Sequence, residues 1–349
     1  METQGIKYAG SKRKIIPYIL HALSETQGVR TVLDGFSGST RVAQAFARSG
    51  LDTTANDTAV WSEVFANCYL KSKQSDSFYA GILEHLNGLS GVDGWFTECY
   101  GGLPEEKKKP FQIKNTRKLD AIRDEIDRLG LDFVDKSVVL TSLILALDSV
   151  DSTLGHYASY LSDWSVRSNK DLVLKLPKRF ALTTKNTVLR GDVFDAIRDR
   201  SFDLAYFDPP YGSNNAKMPT SRVRYGAYYH LWTTLVLNDK PAVFGKANRR
   251  VDSKDSAQPS VFESWRSDVV LGALERLIAA TDARYVLLSY GANGRAAKAD
   301  LADLFSMYGK RVKIAEIDHK RNVMAQMTST KMWLNSTEKY KEYLFLMEK

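Results

Sequence analysis

Residues 201–213 read SFDLAYFDPPYGS: an apolar run that stops at Asp208, followed by two prolines and an aromatic ring. A short run this apolar predicts a strand buried on both faces, as in the middle of a parallel sheet. Proline keeps the residue before it extended and has no N–H. Asp208 is therefore fixed at the strand end, and Pro209 and Pro210 bring no competing donor. What remains there is a carboxylate and a backbone carbonyl, both acceptors, with the ring of Tyr211 beside them. Such a group suits a planar base with an exocyclic amine: the acceptors take the amine hydrogens and localise the lone pair on nitrogen, while the ring stacks on the base.

Three other strand ends follow the same design. VRTVLDGFSGST (29–40) is a β-branched strand running into a glycine-containing loop, and STRVAQAFARSG (39–50) continues as a helix, with Ser39 or Thr40 as its cap and Gly50 at its stop. LDTTANDTA (51–59) then gives a second strand ending at Asp57, which completes a β-α-β unit. NTVLRGDVFDAI (186–197) ends its strand near Asp192, ARYVLLSYGANG (283–294) repeats the strand-then-loop pattern, and RVKIAEID (311–318) and EYLFLMEK (342–349) read as closing strands. Between them the texture changes. NTRKLDAIRDEIDRLG (115–130) puts Leu119, Ile122, Ile126 and Leu129 on one helical face, and KSVVLTSLILALDSV (136–150) reads as a more buried helix. The expected fold is α/β: a Rossmann-like doubly wound sheet formed by residues 1–73 and 179–349, with a mostly helical insertion at 74–178.

In such a sheet the ligand crevice lies beyond the carboxyl ends of the strands, where Asp34, Asp57, Asp192 and Asp208 all fall. DGFSGST (34–40) has the small residues that admit a ligand close to the backbone, but neither the full dinucleotide glycine pattern nor a Walker lysine. That leaves room for a cofactor bearing an amino acid and a nucleoside, against the plainer reading of a tight strand-to-helix turn. Asp57 stands about twenty residues beyond Asp34, the offset of an acid that binds ribose hydroxyls. Capping the helix that begins in DTAVWSE (57–63) is an equally good local account of it.

The 349 residues carry a net charge of +8 and a pI near 9.2, an excess that favours a polyanionic partner. The two cysteines, Cys68 and Cys99, are too few for a disulfide framework or a four-ligand zinc site, so a reducing, cytoplasmic setting is expected. METQGIKYAGSKRKIIPYIL (1–20) lacks the apolar stretch of a signal peptide, and no run is long enough to span a bilayer.

Taken together, these motifs resemble the Dam-like adenine-specific DNA methyltransferases, which use S-adenosylmethionine. KYAGSK (7–12) is similar to the family's N-terminal motif, in which an aromatic ring and a lysine contact the cofactor; Tyr8 and Lys12 take those places, with Tyr where Trp is often found. LDGFSGSTRVA (33–43), with Asp34, Phe36, Gly38 and Ser39, resembles the first sheet motif, and Asn56–Asp57 the ribose-binding acid. GDVF (191–194) resembles the segment whose Asp192 and Val193 bracket the cofactor's adenine, and Asp208–Pro209–Pro210–Tyr211 the catalytic tetrapeptide. LLSYGANG (287–294) is similar to a late family segment, less specifically.

The resemblance implies that Asp208 and the Pro209 carbonyl bind the amine, that Tyr211 stacks on the base, and that the helical insertion reads the target. It further implies double-stranded DNA as partner, a cognate restriction endonuclease acting separately, no metal, no membrane, a monomer, and the cytoplasm of a bacterial or phage-infected cell. Tetrapeptides of this type also serve methylases of cytosine, RNA adenine and protein glutamine; Asp in first place and KYAGSK favour adenine in DNA. An RNA adenine methylase and a catalytically silent DNA-binding protein are the alternatives. The amine-binding role expects Asp208 to be free of a buried ion pair, with an open pocket beside Lys12.

GSNNAKMPTSRVRYGAYYHLWTTL (212–235) begins as a polar, basic loop suited to the target strand. Lys217, Arg222 and Arg224 are placed for phosphates, and Asn214 or Asn215 for a base edge or the gap a flipped base leaves. His230 lies at helical spacing with Tyr229, Trp232 and Leu235, which marks a packed histidine in preference to a general base. TLGHYASYLSDWSVRSNK (153–170) mixes rings, serines, Arg167 and Lys170 as a DNA-facing surface would, though an ordinary surface has much the same texture. The lysine run 107–109 reads most simply as a solvated loop.

Overall fold

The computed structural model describes residues 2–106, 109–212, 224–253, 260–318 and 341–349. In chain order its first elements are α1 (Ile16–Ser24), β1 (Thr31–Asp34), α2 (Arg41–Arg48), β2 (Asp52–Asp57) and α3 (Val60–Ala66). A helical stretch follows: α4 (Asp76–Gly88), α5 (Trp95–Tyr100), the two-residue strands β3 (Gly101–Gly102) and β4 (Phe111–Gln112), α6 (Ile113–Arg128) and α7 (Phe133–Val150). Next come β5 (Thr187–Arg190), α8 (Val193–Ile197), β6 (Ser201–Phe207), α9 (Tyr225–Tyr228), α10 (His230–Leu237) and the small hairpin β7 (Val243–Phe244) and β8 (Arg249–Arg250). The described chain closes with α11 (Ser267–Ala280), β9 (Asp282–Gly291), α12 (Lys298–Tyr308), β10 (Lys310–Asp318) and β11 (Lys341–Glu348).

Seven strands form one sheet in the order β10-β11-β9-β6-β1-β2-β5. The strands from β5 to β9 are parallel, and β11 inserts antiparallel between β9 and β10. The chain winds outward from β1 through β2 to β5, then returns to β6 on the other side of β1. The topological switch thus falls between β1 and β6, the position at which an open parallel sheet presents a crevice.

Alternation along the strands sorts the two faces. Ala205 and Phe207 of β6, with Val286 and Leu288 of β9, pack beneath α8, α11 and α12; Leu204, Tyr206, Tyr285 and Leu287 point the other way, onto α1 and α2. The apolar run that opened the sequence reading is therefore the central strand, covered on both faces. The α2 cap differs from expectation. Thr40 has φ +60° and neither Ser39 nor Thr40 caps the helix by its side chain, because the loop ahead of α2 is turned to face its own β2 neighbour. Gly50 does stop α2, with φ +84°.

Helices α4–α7 share one core with α3 and α10: Phe65, Tyr79, Tyr100, Leu143 and Trp232 belong to the same buried cluster. Arg123 of α6 is 1% exposed and donates to the carbonyls of Leu235 and Val236 at the end of α10, 2.5 and 3.0 Å away. It thereby satisfies acceptors that a helix terminus leaves open. Tyr157 meets Trp232 edge-on at 4.8 Å. Trp232→Ala, which empties the joint between the helical stretch and α10, is expected to destabilise the protein by about 3–5 kcal/mol. Urea denaturation is the measurement, and a midpoint close to wild type would contradict a shared core.

Candidate active site

A cleft of about 1170 Å³ opens at the carboxyl ends of β1, β2, β5 and β6. Each strand end contributes to its wall: Phe36 after β1, Asp57 from β2, Asp192 and Val193 after β5, and Asp208 to Tyr211 after β6. Tyr8 and Lys12 close it from the N-terminal segment, and Arg224 stands at the start of α9 on the opposite side.

The loop after β1 is shaped by close approach. A side chain at Gly35 would meet the Phe207 ring at 2.7 Å, and one at Gly38, where φ is +46°, would meet Tyr8 at 3.1 Å. The Gly38 N–H donates to Asp57 Oδ2 at 2.8 Å, and the Ala59 N–H to Oδ1 at 2.9 Å. Asp57 thus ties the first loop to the second strand, accepts from the backbone just ahead of α3 and still faces the cleft. Burial raises its pKa, against the pull of these backbone donors. Asp192 accepts from the Phe194 N–H at 2.9 Å, capping α8, with buried Val193 beside it on the wall.

Asp34, Gly38 and Ser39 do not line the cleft; they lie behind it. Asp34 is 1% exposed, and neither carboxyl oxygen meets a donor at ordinary geometry among the described residues. Burial, then the charges of Asp208 and Asp57, push its pKa up to about 8. It is an uncharged acid through most of the neutral range, a core group where the sequence suggested a contact residue.

Asp208 departs from expectation, since it is ion-paired. Lys12, 5% exposed, places Nζ 2.9 Å from Asp208 Oδ1 and 3.2 Å from Glu342 Oε1, and also donates to the Gly10 carbonyl and the Tyr211 hydroxyl. The same hydroxyl stands 2.8 Å from Asp208 Oδ1 and 2.6 Å from Glu342 Oε1, with one proton to share between them. Both contacts to Asp208 fall on Oδ1. Oδ2 has no recorded partner among the described residues and the side chain is 17% exposed, so one acceptor oxygen remains for a ligand. Burial raises the Asp208 pKa to about 6, the Lys12 ammonium opposing and the Glu342 charge adding to the rise. Burial also pulls on Glu342 and Lys12, but Lys12 with the Tyr211 and Ser289 hydroxyls outweighs it at the acid, and Asp208 with Glu342 at the amine, leaving the acid below and the amine above its ordinary value.

Tyr211 is not a loose ring awaiting a base. It packs against Tyr290 at 4.9 Å, and Gly291 and Gly294 are bare beneath it: a side chain on either would come within 3.0 Å of Tyr211. This explains the glycines of LLSYGANG, whose loop is the seat of the tetrapeptide's ring. Glu342 went unread in the sequence, where its one signal was an acid opening an otherwise apolar strand. Trp61, Tyr225 and Phe262 were missed as well, because nothing in their local sequence marks them and they reach the cleft only through folding.

Of the cations read as DNA contacts, Arg167 is committed internally: its guanidinium donates to the carboxylate and carbonyl of Asp151 and to the Thr153 carbonyl. Lys170 is exposed, and Arg224 lines the cleft. Asn214, Asn215, Lys217 and Arg222 lie outside the described residues, as do Lys107 and Lys108. His230 is a packed residue, 0% exposed, with Nε2 3.0 Å from the Tyr157 carbonyl and a pKa that burial lowers to about 4.

Comparison with known proteins agrees with this geometry. The D12 class N6 adenine-specific DNA methyltransferase family matches residues 8–266. The chain is 27% identical to the type II methyltransferase M.NlaIII of Neisseria lactamica, across 99% of both proteins. It is 26% identical to the type II methyltransferase M.CviAII of Paramecium bursaria Chlorella virus 1, across 98% of both. The modification methylase StsI of Streptococcus sanguinis is 26% identical over 87% of this chain, which spans 46% of that longer protein.

A carboxyl whose folded pKa lies above its unfolded one stabilises the fold while it is protonated, and that contribution fades as pH rises through the folded value. Asp34→Asn keeps the position neutral at every pH. Its stability relative to wild type is therefore expected to grow between about pH 4 and pH 8, as read from melting temperatures. A difference independent of pH would show that Asp34 is charged in the fold.

Proposed function

The chain belongs to the D12 class N6 adenine-specific DNA methyltransferase family and methylates adenine in DNA, and we propose that it takes the methyl group from S-adenosylmethionine and acts on an adenine swung out of the duplex. One observation carries this reading: Asp208 and Pro209 line a cleft large enough for two ligands at the end of the central strand, and the contacts of Asp208 among the described residues fall on Oδ1, which leaves Oδ2 for the amine.

The cleft suits a cationic nucleoside. Six of its described lining residues are acidic and four basic, within a protein of net charge +8. Asp57 keeps acceptor lone pairs for ribose hydroxyls, the bare Gly38 lets Tyr8 come down on the first loop, and Asp192 with Val193 forms the far wall. When bound, the donor supplies a methyl group on a sulfonium: the bond from carbon to the adenine nitrogen forms as the bond to sulfur breaks, leaving a neutral thioether. Asp208 Oδ2 and the Pro209 carbonyl accept the two amine hydrogens and so leave the nitrogen lone pair directed at the methyl carbon. The attacking nitrogen becomes cationic and gives up one proton, which Asp208 receives and returns to solvent; a pKa near 6 allows both. An adenine stacked in a duplex has no access to such a site, hence the extruded base.

Residues 1–73 and 179–349 form the catalytic part in this reading, and 74–178 the part that reads the target. Lys170, Arg224 and the segment with Asn214, Asn215, Lys217 and Arg222 meet the DNA. The protein works as a monomer in the cytoplasm, alongside a separate endonuclease of the same specificity. No helix among the described residues is long and apolar enough to cross a membrane.

Asp208→Ala is expected to lower turnover at least about 10²–10³-fold while S-adenosylmethionine still binds. Asp57→Ala should do the reverse and weaken donor binding by about ten- to a hundredfold, the loss of hydrogen bonds to a charged group. Labelled-methyl incorporation into unmethylated duplex DNA and calorimetry give the two readouts, on samples whose melting shows a folded protein. Near-normal turnover in a folded Asp208→Ala protein, or transfer to ribosomal RNA in place of DNA, would refute the proposal.

A further inference from the structure

Glu342 belongs to the last strand, over 130 residues beyond the catalytic tetrapeptide, and nothing in the tetrapeptide calls for it. The sheet brings it there. β11 runs antiparallel to β9, which sets Glu342 opposite Gly291, directly beneath the Tyr211 ring. Its Oε1 receives three groups: the Tyr211 hydroxyl at 2.6 Å, the Ser289 hydroxyl at 2.7 Å and the Lys12 ammonium at 3.2 Å. Two of these, Lys12 and Tyr211, are the groups that also touch Asp208, and both touch it on Oδ1. The side chain of Glu342 is 8% exposed and does not line the cleft, so it is out of reach of a substrate.

Resting on the adenine-methylation reading, we propose that Glu342 is a positioning residue for methyl transfer: it anchors Lys12 and the Tyr211 hydroxyl behind Asp208, so that they occupy Oδ1 alone and leave Oδ2 to the amine. The physical need is specific. A lysine with one buried carboxylate for a partner settles where that carboxylate attracts it most, across both oxygens, and the amine then competes with an ammonium. A second carboxylate on the far side holds the ammonium off centre. It also leaves the cluster of two acids and one amine with one net negative charge, which strengthens Asp208 as an acceptor for an N–H that becomes acidic during transfer. Substrate never meets Glu342, yet the oxygen that substrate meets depends on it.

The groups that face Asp208 are Lys12 from the N-terminal segment, Glu342 from β11, Tyr211 and Tyr206 on its own strand and loop, Asp34 from β1, and Tyr8 and Tyr225 across the cleft. Of these only Glu342 is a carboxylate sharing partners with Asp208. Removing its charge therefore has a definite sign: the like charge no longer favours the protonated form of Asp208, and the carboxylate ionises at lower pH.

The test compares Glu342→Gln and Glu342→Asp with the wild-type protein, in methyl incorporation into unmethylated duplex DNA across pH 5–9, with melting temperatures taken on the same samples. Glu342→Gln keeps the shape and loses the charge. Its kcat is expected to fall by about ten- to a hundredfold with little change in the KM for DNA, and the acid limb of its kcat profile to move to lower pH. Glu342→Asp keeps the charge on a shorter arm, and its acid limb is expected to stay with wild type even where kcat drops. A Glu342→Gln protein that melts like wild type and keeps its kcat overturns the inference, as does a loss of kcat whose acid limb coincides with that of wild type. A wild-type protein that transfers no methyl group to DNA overturns the reading underneath, and the inference with it.

Discussion

The ammonium of Lys12 sits between two carboxylates, one after the central strand and one on the closing strand, 2.9 Å from Asp208 and 3.2 Å from Glu342. A buried ion cluster is a poor way to stabilise a protein, because the cost of taking the charges out of water consumes most of the attraction. What it provides is geometry. Apolar packing brings the N-terminal segment, the central strand and the closing strand together, and the cluster fixes where their polar groups meet at the carboxyl edge of the sheet. The sheet's unusual antiparallel member acquires a purpose in this setting: only a strand running against β9 begins at the edge where the cleft lies.

The N-terminal segment is pinned at both ends. While Lys12 faces Asp208 at the end of β6, Lys7 bonds the carboxylates of Asp148 and Asp151 at the end of α7, and Arg167 bonds Asp151 from the other side. Between the two lysines Tyr8 stacks on Tyr229 at 4.8 Å and lies within 5.6 Å of Trp61, at the point where the helical core meets the cleft. Six residues thus bridge the helical stretch and Asp208. The cations involved are taken up by internal partners, and Arg167 braces Asp151 and Thr153.

How much of this was legible depended on distance in sequence. The strand ends at Asp34, Asp57, Asp192 and Asp208 were readable because apolar runs, turn residues and acids stand side by side, and local geometry follows from local composition. The same reading put His230 in a packed helix, and Tyr229, Trp232 and Leu235 around it are buried with it. It failed where a residue's role is set by something far away. Asp34 has the look of a ligand acid and is sealed behind the loop that follows it. Lys12 and Asp208 were each read as facing a ligand, and nothing local shows that they face each other. Glu342 opens a strand of ordinary appearance, and its meaning lies in the register of β11 on β9.

That register also bears on how the site keeps its charge. Sliding β11 by one residue would carry Glu342 to the opposite face and leave Lys12 with Asp208 alone. Seven paired positions from Glu342 to Glu348 along β9, with Leu344, Phe345 and Leu346 buried on alternating faces, make such a slip costly. The apolar residues of the closing strand therefore fix the place of Glu342 in the cluster with Lys12 and Asp208. Core packing at Phe345 and the charges around Asp208 are two ends of one constraint.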